Sequence, residues 1–204
     1  MKGIPTTYRD VQFRSRLEAK WARFFDLVGW KWEYEPFDCD GWIPDFALIG
    51  KSQMMLVEVK PIDRFDQASA DKIDRASTKH EVLLVGVGPQ LESLEGHPRS
   101  PRVLGWMKEA QWYCDSSEAF ARGECPVGSG KECSQGCLYD KRCFSRKWVD
   151  ALLIKRGDSA GILSWGYGGD RISGGDEKHE WFSSDWIQNM WARAGNTTQW
   201  YPRA

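Results

Sequence analysis

The sequence predicts an α/β fold, a mixed central sheet flanked by helices with a small cysteine-rich metal-binding insertion. Three features of the 204 residues carry that reading. An amphipathic helical stripe precedes several short apolar runs of strand length. A second helical segment separates two of those runs, as a crossover connection does. Four cysteines then crowd into a polar stretch of the second half. With 41% hydrophobic and 28% charged residues and 12 tryptophans, the chain can bury a substantial core, which excludes wholesale disorder. Lys and Arg total 28 against 29 Asp and Glu, so any nucleic-acid surface must be a local patch.

Residues 12 to 28 place Phe13, Leu17, Trp21, Phe24, Phe25 and Val28 at 3.6-residue spacing before Gly29, which predicts a helix with Glu18 at the margin of its apolar stripe. KWEYEPF (31 to 37) alternates rings with charges and predicts a half-buried strand, and Asp38 to Gly41 a turn. WIPDFALIG (42 to 50) and QMMLVEVKP (53 to 61) predict a hairpin closed at Gly50-Lys51-Ser52. Residues 63 to 78 have helical composition with Asp63 available as cap, and HEVLLVGVG (80 to 88) predicts a buried strand. The order α-β-β-β-α-β points to a mixed sheet.

Pro89 to Pro101 is loop-like in composition. WVDALLIK (148 to 155) and GILSWGY (161 to 167) predict strands, and residues 183 to 195 a helix starting near Ser184 or Asp185. The expected organisation is a core over 1–105, a cysteine module over 106–147, and C-terminal strands and helix over 148–204 that pack back on the core. No stretch approaches about 18 consecutive apolar residues, and MKGIPTTYRD lacks an apolar signal region. The expectation is a cytoplasmic protein with no membrane partner, in the host cytoplasm if phage-encoded.

Asp45 stands at the first strand of the hairpin, whereas Glu58 and Lys60 stand on the second, two residues apart and so on one face. Adding Glu18 from the preceding helix assembles three carboxylates and an ammonium at one sheet edge. Such a cluster repels itself unless a divalent cation lies among the oxygens, and Mg²⁺ prefers hard oxygen donors.

Pro44-Asp45, followed thirteen positions on by Glu58-Val59-Lys60, after a helix bearing Glu18, resembles the PD-(D/E)xK nuclease superfamily over roughly residues 8 to 88. The run FRSRLEAKWA…WEYEP…PDF…VEVKP is similar to small phage and bacterial members. The resemblance implies a restriction-endonuclease-like core and Mg²⁺- or Mn²⁺-dependent hydrolysis of DNA phosphodiester bonds. It gives Asp45, Glu58 and the Val59 carbonyl the metal, Glu18 the completion of its shell, and Lys60 the attacking water. No Gln-x-x-x-Tyr motif follows, which separates the chain from the RecB-type exonuclease branch. Lys72 or Gln67 on the next helix could face the site. Cutting both strands of a duplex with one site per chain favours a homodimer. One rival is a nuclease-like module that binds DNA or a protein without cutting, using the cysteine knob, and a second is a structural or regulatory phage protein that docks on a host factor through the Trp-rich tail.

Cys125, Cys133, Cys137 and Cys143 have the spacing Cys-x7-Cys-x3-Cys-x5-Cys within 19 residues. Four thiolates suit a structural tetrahedral Zn²⁺, with an iron–sulfur cluster as the alternative. Lys141, Arg142, Arg146 and Lys147 surround Cys143 and form one candidate DNA-contacting patch. Arg14 and Arg16, with Lys20 and Arg23 on the first helix, form the other. The tryptophans at 181, 186, 191 and 200 are expected in core or interface.

Overall fold

The computed structural model describes residues 3–51, 53–76, 80–89, 103–110, 146–156, 159–164, 170, 172 and 180–197. It is an α/β fold with a mixed sheet. The chain opens on a hairpin that the helical stripe had concealed, β1 (Thr6–Tyr8) and β2 (Val11–Phe13), paired Tyr8 to Val11. Arg9 and Asp10 turn it with φ of 49° and 61°, the left-handed conformation that two-residue hairpin loops require. Phe13, expected on the helix, thus lies in a strand.

Helix α1 (Arg16–Leu27) therefore begins later than the stripe suggests. Ser15 sets its start: its backbone is extended, and its hydroxyl accepts from the Glu18 N–H at 3.1 Å. Ser15-x-x-Glu18 is a capping-box pattern, which supplies acceptors for amides that have no intrahelical partner. Gly29, at φ 79°, ends the helix.

Strands β3 (Lys31–Tyr34), β4 (Phe46–Ile49) and β5 (Met54–Val59) form an antiparallel meander. Helix α2 (Gln67–Arg75) then crosses over to β6 (Glu81–Val85), which lies parallel to β5. Asp66 caps α2, accepting from the Ser69 N–H at 2.8 Å; Asp63, the expected cap, lies outside the helix. Four further strands follow: β7 (Val103–Ala110), β8 (Arg146–Arg156), β9 (Ser159–Ser164) and β10 (Glu180–Trp181). The sheet order is β10-β8-β7-β6-β5-β4-β3, with β9 paired to β8. Neither β7 nor β10 was expected, because VLGWMKEA carries a glycine and a lysine and Glu180–Trp181 spans only two residues.

Helix α3 (Ser184–Thr197) packs on α1. Its Trp191 ring lies 4.6 Å from that of Trp21, and Phe24 and Phe25 complete the aromatic cluster. Buried indoles need an acceptor. Trp21 donates to the Gly86 carbonyl at 2.9 Å and Trp30 to the Ala160 carbonyl at 2.7 Å. Trp186 stacks on Phe182 at 3.7 Å, whereas Trp181 is exposed.

Two compact units divide the chain, residues Met1–Met107 with Val149–Ala204, and Lys108–Trp148. The second unit holds Cys125, Cys133, Cys137, Cys143, Lys141 and Arg142, all of which lie outside the described residues. Arg146 and Lys147 are described only as the backbone that begins β8. Among the described residues, no helix is long and apolar enough to cross a membrane.

Candidate active site

The β4–β5 register builds the site. Phe46 pairs with Val57, so one further step sets Asp45 opposite Glu58. Directly opposed residues in an antiparallel pair share a face and bring their Cβ atoms to about 5 Å. Lys60 follows immediately after β5, and its N–H is held by the Val85 carbonyl at 2.9 Å. The start of α1 brings in Glu18. These groups line a single cleft of about 450 Å³, together with Arg14, Ser15, Trp42, Val59 and Lys72. All four residues assigned to the catalytic group therefore converge, as does Lys72. Gln67 instead donates to Asp71 at 2.7 Å. The convergence lies at the strand ends rather than along a sheet edge, because β5 is flanked by β4 and β6.

The carboxylates are buried, with Glu18 8%, Asp45 4% and Glu58 4% exposed. Each is held by protein donors. Asp45 Oδ2 accepts from the Val59 N–H at 2.7 Å, and Oδ1 takes Arg14 Nη2 at 2.5 Å. Glu58 bonds Lys60 Nζ through Oε1 and Trp42 Nε1, at 3.0 Å, through Oε2. Glu18 accepts from the Ser15 hydroxyl at 2.7 Å, the Tyr34 hydroxyl at 2.7 Å and the Arg14 N–H at 3.1 Å.

Burial raises the Asp45 carboxyl most, the Glu58 charge adds to it, the Val59 N–H opposes, and Glu18 raises it further than it would otherwise stand; the result is about 7. Burial and the bond to Glu18 likewise push the Tyr34 phenol up to about 12, so it stays protonated as a donor to that carboxylate. A buried acid crowded by like charges is a common feature of sites that hold cations or transfer protons.

The donors fit a hard divalent cation in kind, since Glu18, Asp45 and Glu58 are all oxygen ligands in one cleft. Their arrangement is different: among the described residues, no three His, Cys, Asp or Glu side chains are grouped so as to hold a metal ion. Both Asp45 oxygens and both Glu58 oxygens face protein donors.

The basic face expected on α1 is largely spent on internal contacts. Arg14 precedes the helix and enters the cleft, bridging Asp45 and, through Nε at 2.9 Å, Glu35. Lys20 lies 3.8 Å over the Trp191 ring, and Arg23 donates to the Tyr8 hydroxyl at 3.1 Å. Arg16 alone of these four is an exposed helix residue. A continuous cationic stripe is thereby replaced by one arginine at the site and one on the surface.

Ser15, Tyr34 and Trp42 orient the carboxylates and went unnoticed in the sequence. The Ser15-x-x-Glu18 spacing was the available signal for the first. Tyr34 reads only as an apolar strand position. Trp42 reaches Glu58 because the Asp38–Gly41 turn folds back, with the Cys39 N–H donating to the Trp42 carbonyl at 2.8 Å. No protein-family model, curated protein or solved structure matches the chain.

Proposed function

We propose that the chain is a metal-dependent deoxyribonuclease of the PD-(D/E)xK type, an endonuclease that hydrolyses DNA phosphodiester bonds. One observation carries the reading: Glu18, Asp45, Glu58 and Lys60, spread over 43 positions of sequence, line one cleft at the ends of paired strands. The meander followed by a helical crossover to a parallel strand supports a restriction-endonuclease-like core beneath them. The cysteine segment is proposed as a zinc-pinned insertion, with an iron–sulfur cluster as the alternative occupant.

Asp45, Glu58 and the Val59 carbonyl would hold Mg²⁺ or Mn²⁺, with Glu18 completing the shell. Such an ion polarises a phosphate and acidifies a bound water. Lys60 contributes what the chain itself can supply: an ammonium beside Glu58, placed to orient a water and to offset phosphate charge. Tyr34 and Ser15 keep Glu18 aimed into the cleft, and Trp42 does the same for Glu58. Lys72 also lines the cleft and adds a further cation there.

Digestion of linear, branched and single-stranded DNA in Mg²⁺ or Mn²⁺, with and without EDTA, tests the proposal. Cutting that disappears with EDTA and in Asp45→Asn and Lys60→Met is expected. Cutting that persists in those variants refutes it, and DNA retention without cutting, unaffected by EDTA, favours the non-cleaving binding module.

A further inference from the structure

We infer that Arg14 is a built-in counter-ion that keeps the cleft closed to divalent cations and must leave Asp45 before one binds. The inference rests on the nuclease reading of the cleft and concerns how that site is regulated. Arg14 Nη2 sits on Asp45 Oδ1, the oxygen turned away from the Val59 N–H. A cation bound between Asp45 and Glu58 would need that same oxygen. Both occupants carry positive charge and would sit against one oxygen, so their mutual repulsion sets each against the other.

Exposure shows which partner can move. The Asp45 side chain is 5% exposed and fixed through its second oxygen, whereas the Arg14 side chain is 58% exposed. Arg14 also has somewhere to go. Its Nε bonds Glu35 at 2.9 Å, and the Glu35 side chain is 37% exposed, which gives the guanidinium a partly solvated carboxylate partner other than Asp45. Its backbone is anchored separately, the N–H facing Glu18 and Tyr34, so a swing of the side chain leaves the start of α1 undisturbed. Arg14 thus neutralises a crowded acidic site while no cation occupies it, and linkage makes anything that draws the guanidinium outward tighten cation binding by an equal factor. A phosphate of a bound nucleic-acid strand is a ligand of that kind, since arginine pairs with phosphate in a two-pronged geometry.

Electron paramagnetic resonance of Mn²⁺, whose free aquo signal is lost on binding, measures the affinity directly on the full chain. Replacing Arg14 by Gln should tighten Mn²⁺ binding about threefold to fivefold, the factor for one ion pair whose arginine is largely exposed. Arg14→Lys, which keeps the charge but cannot bridge Glu35 and Asp45 together, should fall between. Adding Asp45→Asn to Arg14→Gln should abolish the tight binding, assigning it to this cleft. Equal Mn²⁺ affinity in wild type and Arg14→Gln overturns the counter-ion role and leaves the nuclease reading standing. Tight binding that survives Asp45→Asn places the ion elsewhere and overturns the role as well. No Mn²⁺ binding by either protein overturns both. Near-ultraviolet circular dichroism, dominated by the tryptophans, confirms that each variant keeps its packing.

Discussion

Glu18 holds the start of α1 and, in the proposed nuclease, serves the chemistry, two roles that substitution can separate. Its carboxylate accepts from the Tyr34 hydroxyl, the Ser15 hydroxyl and the Arg14 N–H, and so ties the start of α1 to β3. Truncation to Ala leaves three donors short of an acceptor in a site only 8% exposed. At about 1 kcal/mol for each net hydrogen bond, less what water and the remaining Arg14–Tyr34 contact recover, Glu18→Ala should cost about 2–3 kcal/mol. For a chain of this size that corresponds to a melting temperature lower by about 5–10 °C. Gln at position 18 keeps a carbonyl for Tyr34 and Arg14, and its amide can donate to the Ser15 hydroxyl, so Glu18→Gln should cost less than about 1 kcal/mol. The proposed chemical role depends on charge and should not follow that ranking, with cleavage lost in both variants. Denaturant unfolding followed by tryptophan fluorescence, alongside the digestion assay, measures the two separately. Equal denaturant midpoints for Glu18→Ala and wild type would refute the capping argument, and full cleavage by a well-folded Glu18→Gln would remove Glu18 from the chemistry.

At Asp45 the choice of replacement matters in the same way: Ala strands the buried Val59 N–H at about 1–3 kcal/mol, while Asn can still accept from it, and calorimetry of the pair should show that difference. Asp66→Ala should cost about 1 kcal/mol by removing the α2 cap. The Asp66 carboxyl is held below its usual range by hydrogen bonds from Ser69, so its contribution is full above the unfolded-state value of about 4 and is lost as pH falls through the lower folded value. The gap between Asp66→Ala and wild type should accordingly close in acid, and a gap that widened there would contradict the assignment. Gly105→Ala should be severe, because a Cβ on β7 would overlap the Leu84 carbonyl oxygen of β6 and force two sheet strands apart; about 1–3 kcal/mol is expected in an unfolding titration.

Periodicity carried most of what could be read along the chain. The apolar runs at 42–50 and 53–61 and the crossover to 80–88 were legible because strand alternation and burial are written in neighbouring residues. Local competition set the boundaries instead. The stripe through Phe13 fits a helix, yet a two-residue turn with positive φ and the Ser15 cap give that residue to a strand. Asp63 and Asp66 are equally good caps on paper, and Ser69 decides between them.

Clustered charge and spacing along paired strands singled out the candidate site residues from sequence alone, since Asp45, Glu58 and Lys60 follow from register once the hairpin is assumed. What only the tertiary structure decided is how those groups are occupied. Arg14 reads as one cation in a basic stripe, but the helix starts after it, and the β1–β2 hairpin delivers it into the cleft against Asp45. Tyr34 and Trp42 likewise come from a different strand and a turn to hold Glu18 and Glu58. Long-range bonds such as these depend on where backbones lie in space, and no local pattern of residues encodes that.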